Sequence, residues 1–522
     1  MTTLEFPDPQ DHDRYFRVDH LKQDLVGRSI RGGAVTMISQ AGKFILTLLS
    51  TAVLARILSP ADFGLLAMVI SIVGFLMMFR DLGLSMATVQ RAEINHKQVS
   101  TLFWVNALIG LIITVATMAI APVLGWFYEE PRLIPVTLVL AGAFLLSGLS
   151  VQHQALLRRQ MRFNAIAIVE ISSLGLSIAA AILAAASGLG YWSLVIMHLV
   201  REGASSAGVW LACGWKPGWP ARRVGVRSLL IFGGHLTGFN VINFFARNLD
   251  KVLVGRFVGA GPLGLYAKAY QLLLLPVHQI NMPLTSVAVP ALSRLQADPK
   301  KFRAYYRRGL MMTVAAGMPA VVFLFVTAES AVLAILGPQW IDAVVLFRVL
   351  APAAFVGTLN VATGWVFLSL GQTGRQLRWG IFSTLLSVLG YAVGIRWGAL
   401  GVAAAVSAAV CTLRLPGIVY CYQRAPLRLY DLASALWRPA GCSLLAGGGL
   451  YLADRFVGPG GRPGSGLTVP TGGEAGLRLL SDFGIYILLY IGIWFLTPGG
   501  RQSMRDIVNL ARQLRPARQE GM

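Results

Sequence analysis

The chain has 522 residues, of which 55% are hydrophobic and 13% are charged, and its mean hydropathy is +0.64. Soluble domains hold about 25% charged residues, so this composition excludes one large water-soluble core. The formal net charge of +22 does not indicate nucleic-acid binding, because the basic residues are scattered between apolar blocks and form no clustered basic face.

Apolar blocks follow one another along almost the whole chain, after a polar segment with no cleavable signal peptide. A helix needs about 20 apolar residues to cross the hydrocarbon core of a bilayer. We therefore expect an all-α integral membrane protein with about fourteen transmembrane helices, and the tight turn at Gly398 leaves that count open by one. The predicted spans are 33–55, 64–79, 101–126, 133–156, 164–187, 190–213, 226–247, 263–290, 306–328, 342–370, 379–396, 398–422, 430–452 and 477–497.

Lysine and arginine alternate between rich and poor segments from one apolar block to the next. If the N-terminus is cytoplasmic, the inside segments hold about thirty basic residues and the outside segments about eight. Basic residues resist translocation and stay in cytoplasmic loops. The sequence therefore predicts that both termini are cytoplasmic.

Two short sequence echoes indicate an internal repeat. VLARILSPADFGLLA (53–67) aligns with LVGRFVGAGPLGLYA (253–267), and RRQMRF (158–163) aligns with GRQLRW (374–379). The first pair follows helices 1 and 7 on the outside, and the second follows helices 4 and 10 on the inside. The two copies of each echo lie on the same side of the membrane, at corresponding positions in the two halves. This predicts two six-helix bundles in the same orientation, which is a transporter architecture with its substrate site between the halves.

The predicted organisation has six parts. We expect a cytoplasmic N-terminal segment (1–32), a first six-helix bundle (33–215), a cytoplasmic linker (216–225), a second six-helix bundle (226–422), two additional transmembrane helices (430–497) and a basic cytoplasmic tail (498–522). Pro276, Pro283 and Pro290 are expected to kink or break helix 8. Asp62 is expected to cap helix 2 at its N-terminus.

Several motifs, in order, resemble those of one transporter family. They are LSPADFG (58–64), RDLGL (80–84), LLRRQMRF (156–163), GLGYWSLV (188–195), NLDKVLVGRFVGAGPLGLYAKAY (248–270) and LGPQW (336–340). Together they resemble the Wzx-type polysaccharide flippases of the multidrug/oligosaccharidyl-lipid/polysaccharide exporter superfamily, and among these the colanic-acid-type lipopolysaccharide biosynthesis exporters. The resemblance covers helices 1 to 10 and leaves out the last two helices and the tail.

The resemblance implies two six-helix bundles around a central cavity in a bacterial inner membrane. It also implies alternating-access export of undecaprenyl-pyrophosphate-linked oligosaccharide repeat units for exopolysaccharide, capsule or O-antigen synthesis. The implied partners are the lipid-linked substrate, membrane lipids, and a polysaccharide polymerase with its export machinery. Alternatives within transport are a cation-coupled multidrug exporter or a peptidoglycan lipid-precursor flippase. The alternative from another class is a membrane glycan polymerase or ligase, which predicts a large extramembrane loop that the sequence lacks.

Charged residues well within the predicted spans, or at the end of helix 7, are functional candidates, because a charge at the membrane centre costs about 3 kcal/mol on insertion scales. The seven cations and three anions are Lys43, Glu170, Arg201, Glu202, Arg247, Asp250, Lys268, Arg348, Arg414 and Arg438. The excess of cations suits an anionic lipid pyrophosphate.

The substrate-binding candidates are Lys43, Lys268, Arg348, Arg201 and Arg247. The coupling candidates are Glu170, Glu202 and Asp250. Local ion pairs or headgroup contacts are the competing interpretation for several of them. We expect no catalytic residue, no metal and no cofactor. The four cysteines (Cys213, Cys411, Cys421 and Cys442) are expected to be small buried hydrophobic side chains.

Overall fold

The computed structural model describes residues 15–16, 25–81, 83–91, 94–221, 244, 248–457, 472–502 and 504. The predicted helix 226–247, most of the N-terminal segment and most of the basic tail lie outside these residues. Regular structure in the described part of the chain is helical throughout. Chain contacts divide the protein into two compact units, Met1–Arg256 and Phe257–Met522. The predicted domain boundaries stay predictions, because the predicted linker 216–225 is only partly described.

The first unit contains α1 to α7. Helix α5 packs against α4 and α7, while α6 packs against α7 and α1. At one end of these helices, Phe103, Leu156, Leu157 and Trp215 are among the buried residues of an apolar cluster. The helices are α1 (Leu25–Ile57), α2 (Pro60–Met77), α3 (Leu84–Gln90), α4 (His96–Tyr128), α5 (Leu133–Arg159), α6 (Phe163–Ala186) and α7 (Trp192–Cys213), and residues 248–258 are also helical.

The second unit contains α8 to α16. Helix α8 packs against α9, α11 and α12, and α14 packs against α13 and α11. The helices are α8 (Ala260–Arg294), α9 (Pro299–Val326), α10 (Ala328–Ile335), α11 (Ala343–Gly357), α12 (Asn360–Ser369), α13 (Thr373–Gly394), α14 (Gly398–Tyr422), α15 (Leu429–Val457) and α16 (Gly472–Leu496).

The two C-terminal helices belong to the packing of this second unit. Helix α15 lies against α9, and α16 lies against α15 and α10. Val322 and Phe323 of α9, Leu450 of α15 and Tyr486 of α16 are buried together in one apolar cluster. The last two helices therefore share an apolar core with α9, although no sequence motif marked them.

The expectation that prolines break helix 8 was wrong, whereas a kink there stays a prediction. Helix α8 is unbroken through Pro276, Pro283 and Pro290. A proline removes only one backbone donor, and neighbouring helices support such a helix within a membrane protein. The predicted span 342–370 corresponds to one candidate membrane span, Ala343–Ser369, in which α11 and α12 are separated only at Thr358 and Leu359.

Asp62 takes part in the N-terminal cap of α2, as expected, from the third helical position. The N-cap is Ser59, whose Oγ accepts a hydrogen bond from the Asp62 backbone N–H at 3.3 Å. The Asp62 carboxylate in turn accepts from the Ser59 backbone N–H at 2.9 Å, which completes a capping box. Asp62 therefore reinforces the cap from the third helical position, with Pro60 at the first.

The first sequence echo coincides with a helix start in both of its copies. Helix α2 begins at Pro60 after the N-cap Ser59, and α8 begins at Ala260 after the N-cap Gly259. These positions differ by the offset of two hundred residues that aligned the two sequences. The echo therefore marks a helix start in each unit.

The second echo also has matching local structure. The first arginine that the two copies share is buried in both units: 5% of Arg159 and 8% of Arg375 is exposed. Each of these guanidinium groups donates to at least one backbone carbonyl from another part of its unit. Arg162 and Arg378, the second arginines of the motif, are exposed. The RQ-x-R pattern thus assigns one structural and one exposed arginine to each unit.

Many of the described helices are long and apolar enough to span a membrane. Nine helical segments of the described residues are long and apolar enough to cross a bilayer, and one of them, Thr373–Tyr422, contains both α13 and α14. This confirms the predicted all-α integral membrane fold and a multi-pass membrane protein. The total of about fourteen spans stays a prediction.

The cysteines are free, but they do not share one environment. Cys213, Cys421 and Cys442 are buried, as expected, whereas Cys411 is exposed. Cys411 lies on α14 among residues that alternate between buried and exposed positions, and its side chain falls on the exposed face. The prediction of burial was wrong for this residue, because an apolar sequence does not distinguish the lipid face of a membrane helix from its packed face.

Candidate functional site

Lys43 and Glu170 form an ion pair inside the first unit. Their Nζ and Oε2 atoms are 2.5 Å apart, and their side chains are 19% and 36% exposed. Lys43 lies on α1 and Glu170 on α6, two helices that pack closely enough for a Cβ added to Gly42 to lie 3.9 Å from Ile171 Cδ1. A candidate substrate-binding cation and a candidate coupling anion are therefore in direct contact.

A second, looser ion pair joins Arg80 to Glu202 of α7. The distance from Arg80 Nη1 to Glu202 Oε2 is 4.0 Å, and both side chains are partly exposed. Arg201, the neighbour of Glu202, has an exposed side chain near the middle of α7. In the first unit, two of the predicted intramembrane anions are thus matched by cations, and Arg201 remains accessible.

The predicted charges at the end of the first unit are only partly described. Arg247 lies outside the described residues. Asp250 is buried, with 6% of its surface exposed. Its neighbour Lys251 donates a hydrogen bond from Nζ to Asn248 Oδ1 at 3.2 Å.

The second unit holds the remaining predicted cations. Lys268 of α8 donates from Nζ to Gln271 Oε1, one helical turn further, at 3.2 Å. Arg348 of α11 is exposed and makes no ion pair with any described residue. Arg414 of α14 donates to Asn360 Oδ1 at 2.7 Å, which holds its guanidinium against α12.

A buried polar chain in the first unit was missed by sequence analysis. Thr88 Oγ1 donates to Gln152 Oε1 at 2.8 Å, and Gln152 Nε2 donates to Asn106 Oδ1 at 2.8 Å. All three side chains are fully buried. An amide within an apolar span, as at Asn106 and Gln152, is the signal that a search restricted to charged residues overlooked.

Sequence analysis also missed a structural role for Arg159, because it placed this residue only in a loop on the cytoplasmic side. Its Nη1 donates to Thr88 O at 3.0 Å and to Arg91 O at 2.5 Å, and its Nε donates to Phe16 O at 3.3 Å. The last carbonyls of a helix have no partner within that helix, and a basic side chain there is favourable. Arg159 therefore closes the C-terminal end of α3.

Exposed cations on apolar helices are suited to binding an anion with a lipid tail. A guanidinium or ammonium group binds phosphate through charge-assisted hydrogen bonds. Within the described residues, no cluster of three histidine, cysteine, aspartate or glutamate side chains is arranged to hold a metal ion.

The fold resembles that of known membrane transporters. The inward-closed lipid II flippase MurJ matches it with a TM-score of 0.68 at 15% sequence identity, covering 87% of this chain and 96% of that one. An inward-facing transporter of the multidrug resistance MATE family, in the MOP superfamily, matches with a TM-score of 0.59 at 13% identity, covering 73% of this chain and 94% of that one. The protein thus has the fold of a polytopic transporter.

The chain belongs to the polysaccharide biosynthesis protein family, whose model matches residues 53–345. The lipopolysaccharide biosynthesis protein WzxC of Escherichia coli strain K12 is 26% identical over 364 residues, 68% of this chain and 73% of that protein. The succinoglycan biosynthesis transport protein ExoT of Rhizobium meliloti strain 1021 is 25% identical over 488 residues, 92% of this chain and 95% of that protein. The predicted relationship to polysaccharide exporters is confirmed.

Proposed function

We propose that this protein is a flippase that moves undecaprenyl-pyrophosphate-linked oligosaccharide repeat units across the bacterial inner membrane for exopolysaccharide, capsule or O-antigen synthesis. The family match over residues 53–345 is the observation that carries the proposal. The relatives named for lipopolysaccharide biosynthesis and for succinoglycan transport, and the transporter fold, support it. Nothing covalent happens to the substrate, so the protein is a transporter and has no catalytic residue.

The substrate head group binds the embedded cations. The proposed set is Lys43, Arg201, Arg247, Lys268 and Arg348, with Glu170, Glu202 and Asp250 as coupling groups. The exposed Arg201 and Arg348 are open to a pyrophosphate, whereas Lys43 is already paired with Glu170. A pyrophosphate that reaches Lys43 therefore competes with the Glu170 carboxylate, and cation binding to Glu170 favours the exchange.

The proposal includes an orientation and a set of partners. Both termini lie in the cytoplasm, because the basic loops are retained there. The partners are the lipid-linked oligosaccharide, the surrounding lipids, and the polymerase and export machinery that receive the repeat unit. A coupled polymerase would consume the transported unit on the outer face.

A deletion strain provides the direct test. We expect lipid-linked repeat units to accumulate in the cytoplasmic leaflet and surface polysaccharide to disappear, with both defects reversed by the intact gene. Lys43→Ala, Lys268→Ala and Arg348→Ala are expected to lower export while membrane insertion is preserved. Normal export in all three variants contradicts the site assignment, and normal export in the deletion strain contradicts the function.

The same strain separates the alternatives. A multidrug exporter predicts increased sensitivity to cationic drugs with normal polysaccharide. A peptidoglycan-precursor flippase predicts lysis on depletion, because cell-wall synthesis stops. A polymerase or ligase predicts that single repeat units reach the outer leaflet and remain unjoined there.

A further inference from the structure

Helix α8 is a polar helix packed among apolar membrane helices. Its 35 residues are long enough to cross a bilayer, but it is not among the nine apolar segments of the described residues. It nevertheless packs against α9, α11 and α12, all of which belong to those segments. This packing places α8 and its polar side chains in the membrane region.

The polar side chains in the first half of α8 form one stripe, which we call the amide face. It consists of Lys268, Gln271, His278 and Gln279. At 100° per residue, these four positions fall within about a third of the helix circumference. Lys268 is partly exposed and the other three are exposed. On the opposite side of the helix, Leu273 and Val277 are buried.

The exposed face of α13 has the opposite character. Every exposed residue of this helix from 381 to 393 is apolar, and Phe382, Leu385 and Leu389 are each at least 55% exposed. An apolar face suits lipid, whereas an exposed polar group within a membrane is costly unless it meets water or protein. The face of α13 is therefore suited to hydrocarbon, and the amide face of α8 to a hydrated lumen.

The two glutamines of the amide face offer hydrogen-bond groups of both kinds. Gln271 Oε1 accepts from Lys268 Nζ at 3.2 Å, which leaves the Gln271 Nε2 as a donor. Gln279 makes no side-chain hydrogen bond with a described residue, so its carboxamide presents both a donor and an acceptor. An ionised pyrophosphate only accepts hydrogen bonds, whereas a sugar hydroxyl both donates and accepts them. Neutral amides therefore suit a sugar better than a phosphate.

We propose that the amide face binds sugar hydroxyls of the lipid-linked oligosaccharide. The inference rests on the proposed flippase function and adds to it the residues that recognise the glycan. Gln271 and Gln279 are separated by about 12 Å along the helix axis, at 1.5 Å per residue, and contact different sugar rings. Lys268 lies one turn before Gln271 and holds the phosphate end, so the glycan extends along α8 toward Gln279. A substrate that lacks the matching hydroxyl leaves an amide unpaired and is disfavoured.

Thiol labelling tests whether the amide face meets water. In a variant with the four native cysteines replaced by alanine, Gln279→Cys places one thiol on the amide face and Leu385→Cys places one on the α13 face. A small charged methanethiosulfonate is added to both sides of permeabilised vesicles. We expect Gln279→Cys to react at least tenfold faster, because the charged reagent and the reactive thiolate both require water. Equal rates overturn the hydrated face, and the glycan site with it.

Binding to the purified full-length protein tests the glycan contact. Lipid-linked repeat units are isolated from the deletion strain, and native mass spectrometry compares their binding with that of undecaprenyl pyrophosphate. We expect Gln271→Leu and Gln279→Leu each to weaken binding of the lipid-linked unit about three- to tenfold, as for one net hydrogen bond, and to leave undecaprenyl pyrophosphate binding unchanged. Lys268→Ala is expected to weaken both. Gln90→Leu, the same change at the exposed end of α3, is the matched control.

The outcomes separate this inference from the function on which it rests. Equal binding of the lipid-linked unit by the wild type and both glutamine variants overturns the inference, while the flippase function stands. A matching loss of undecaprenyl pyrophosphate binding also overturns it, because the amides then contact the head group. Absence of lipid-linked units from the deletion strain overturns the proposed function, and the glycan site with it.

Discussion

Individual embedded charges in this protein depend on specific partners from distant parts of the sequence. Lys43 and Glu170 are 127 residues apart and form a 2.5 Å contact between α1 and α6. Each charge alone within a span is costly, and the pair offsets much of that cost. Replacing either residue therefore leaves the other charge without its partner, whether the pair serves structure or transport.

Single and double substitutions distinguish those two roles. Lys43→Ala leaves Glu170 unmatched and Glu170→Ala leaves Lys43 unmatched, so we expect each variant to insert into the membrane but to give a lower yield of folded protein after detergent extraction. Lys43→Ala/Glu170→Ala restores the yield but not polysaccharide export if the pair acts in transport. Folded yield is measured by size-exclusion chromatography and export by surface polysaccharide. Full recovery of export in the double variant would show that the pair is only structural.

Glu130 gives a pH dependence outside the membrane spans. Its carboxylate accepts two hydrogen bonds from the Arg132 side chain, each at 2.8 Å. The Arg132 hydrogen bonds, against a smaller opposing effect of burial, hold the pKa of Glu130 below its ordinary value of 4.5. A folded pKa below the unfolded pKa stabilises the protein above the unfolded pKa, and this stability is lost as the pH falls through the folded pKa.

We therefore expect Glu130→Gln to lower the free energy of unfolding at pH 7. The loss should be only about 0.5 kcal/mol, because Arg132 is half exposed and water screens the pair. The difference between variant and wild type should vanish as the pH falls through the lowered pKa of Glu130. The measurement is the Tm of both proteins in one detergent from pH 7 to pH 3. A difference that persists at the lowest pH contradicts the assignment.

At the scale of elements, α4 and α5 approach closely enough for their backbones to touch. A Cβ on Gly148 would lie 2.8 Å from the Asn106 carbonyl oxygen and 3.2 Å from the Gly110 Cα. Small residues allow membrane helices to approach in this way. The approach also positions Asn106 for its hydrogen bond from Gln152. Helix spacing and the buried polar chain are therefore linked.

Replacing one of these glycines tests the spacing. Gly148→Ala forces the helices apart, and we expect a loss of stability of about 1–3 kcal/mol, as for an overpacked core. Gly142→Ala is the control on the same helix, because nothing lies within 4 Å of its added Cβ. Thermal unfolding of the two purified variants gives the comparison. Equal Tm values for both would refute the close contact.

Arg159 provides a second test at this scale, because it joins the end of α5 to the end of α3. Arg159→Met leaves the Thr88 and Arg91 carbonyls without this donor, and we expect a destabilisation of about 3 kcal/mol. Arg158→Met is the matched control, since Arg158 is the exposed neighbour. Proteolysis of the 82–94 region under native conditions, followed by mass spectrometry, measures the loosening. Equal cleavage rates in both variants would contradict the capping role.

For the whole molecule, orientation follows from charge asymmetry and is a proposal that labelling can check. In a variant with its four native cysteines replaced by alanine, Pro131→Cys and Lys300→Cys introduce thiols at exposed positions before α5 and at the start of α9. We expect an impermeant maleimide to label the first in intact spheroplasts and the second only after permeabilisation. The reverse pattern would invert the proposed orientation.

Helix locations were largely predictable from the sequence, while partners of polar groups were not. The predicted spans 101–126 and 398–422 lie within α4 and α14, because a run of apolar residues is itself the requirement for a bilayer span. The break at Thr358 and the continuity of α8 depend on packing by neighbouring helices, which local propensity does not encode.

The sequence by itself determined the membrane class, the helix order, the sites of the two echoes and the excess of embedded cations. Only the tertiary structure decided that Lys43 is paired with Glu170, that Arg159 and Arg375 bind carbonyls while their motif neighbours are exposed, and that the amide face of α8 is exposed. The physical reason is that apolar length is a local property of the chain. Pairing, by contrast, depends on which faces of distant helices meet, and many apolar sequences leave that choice open.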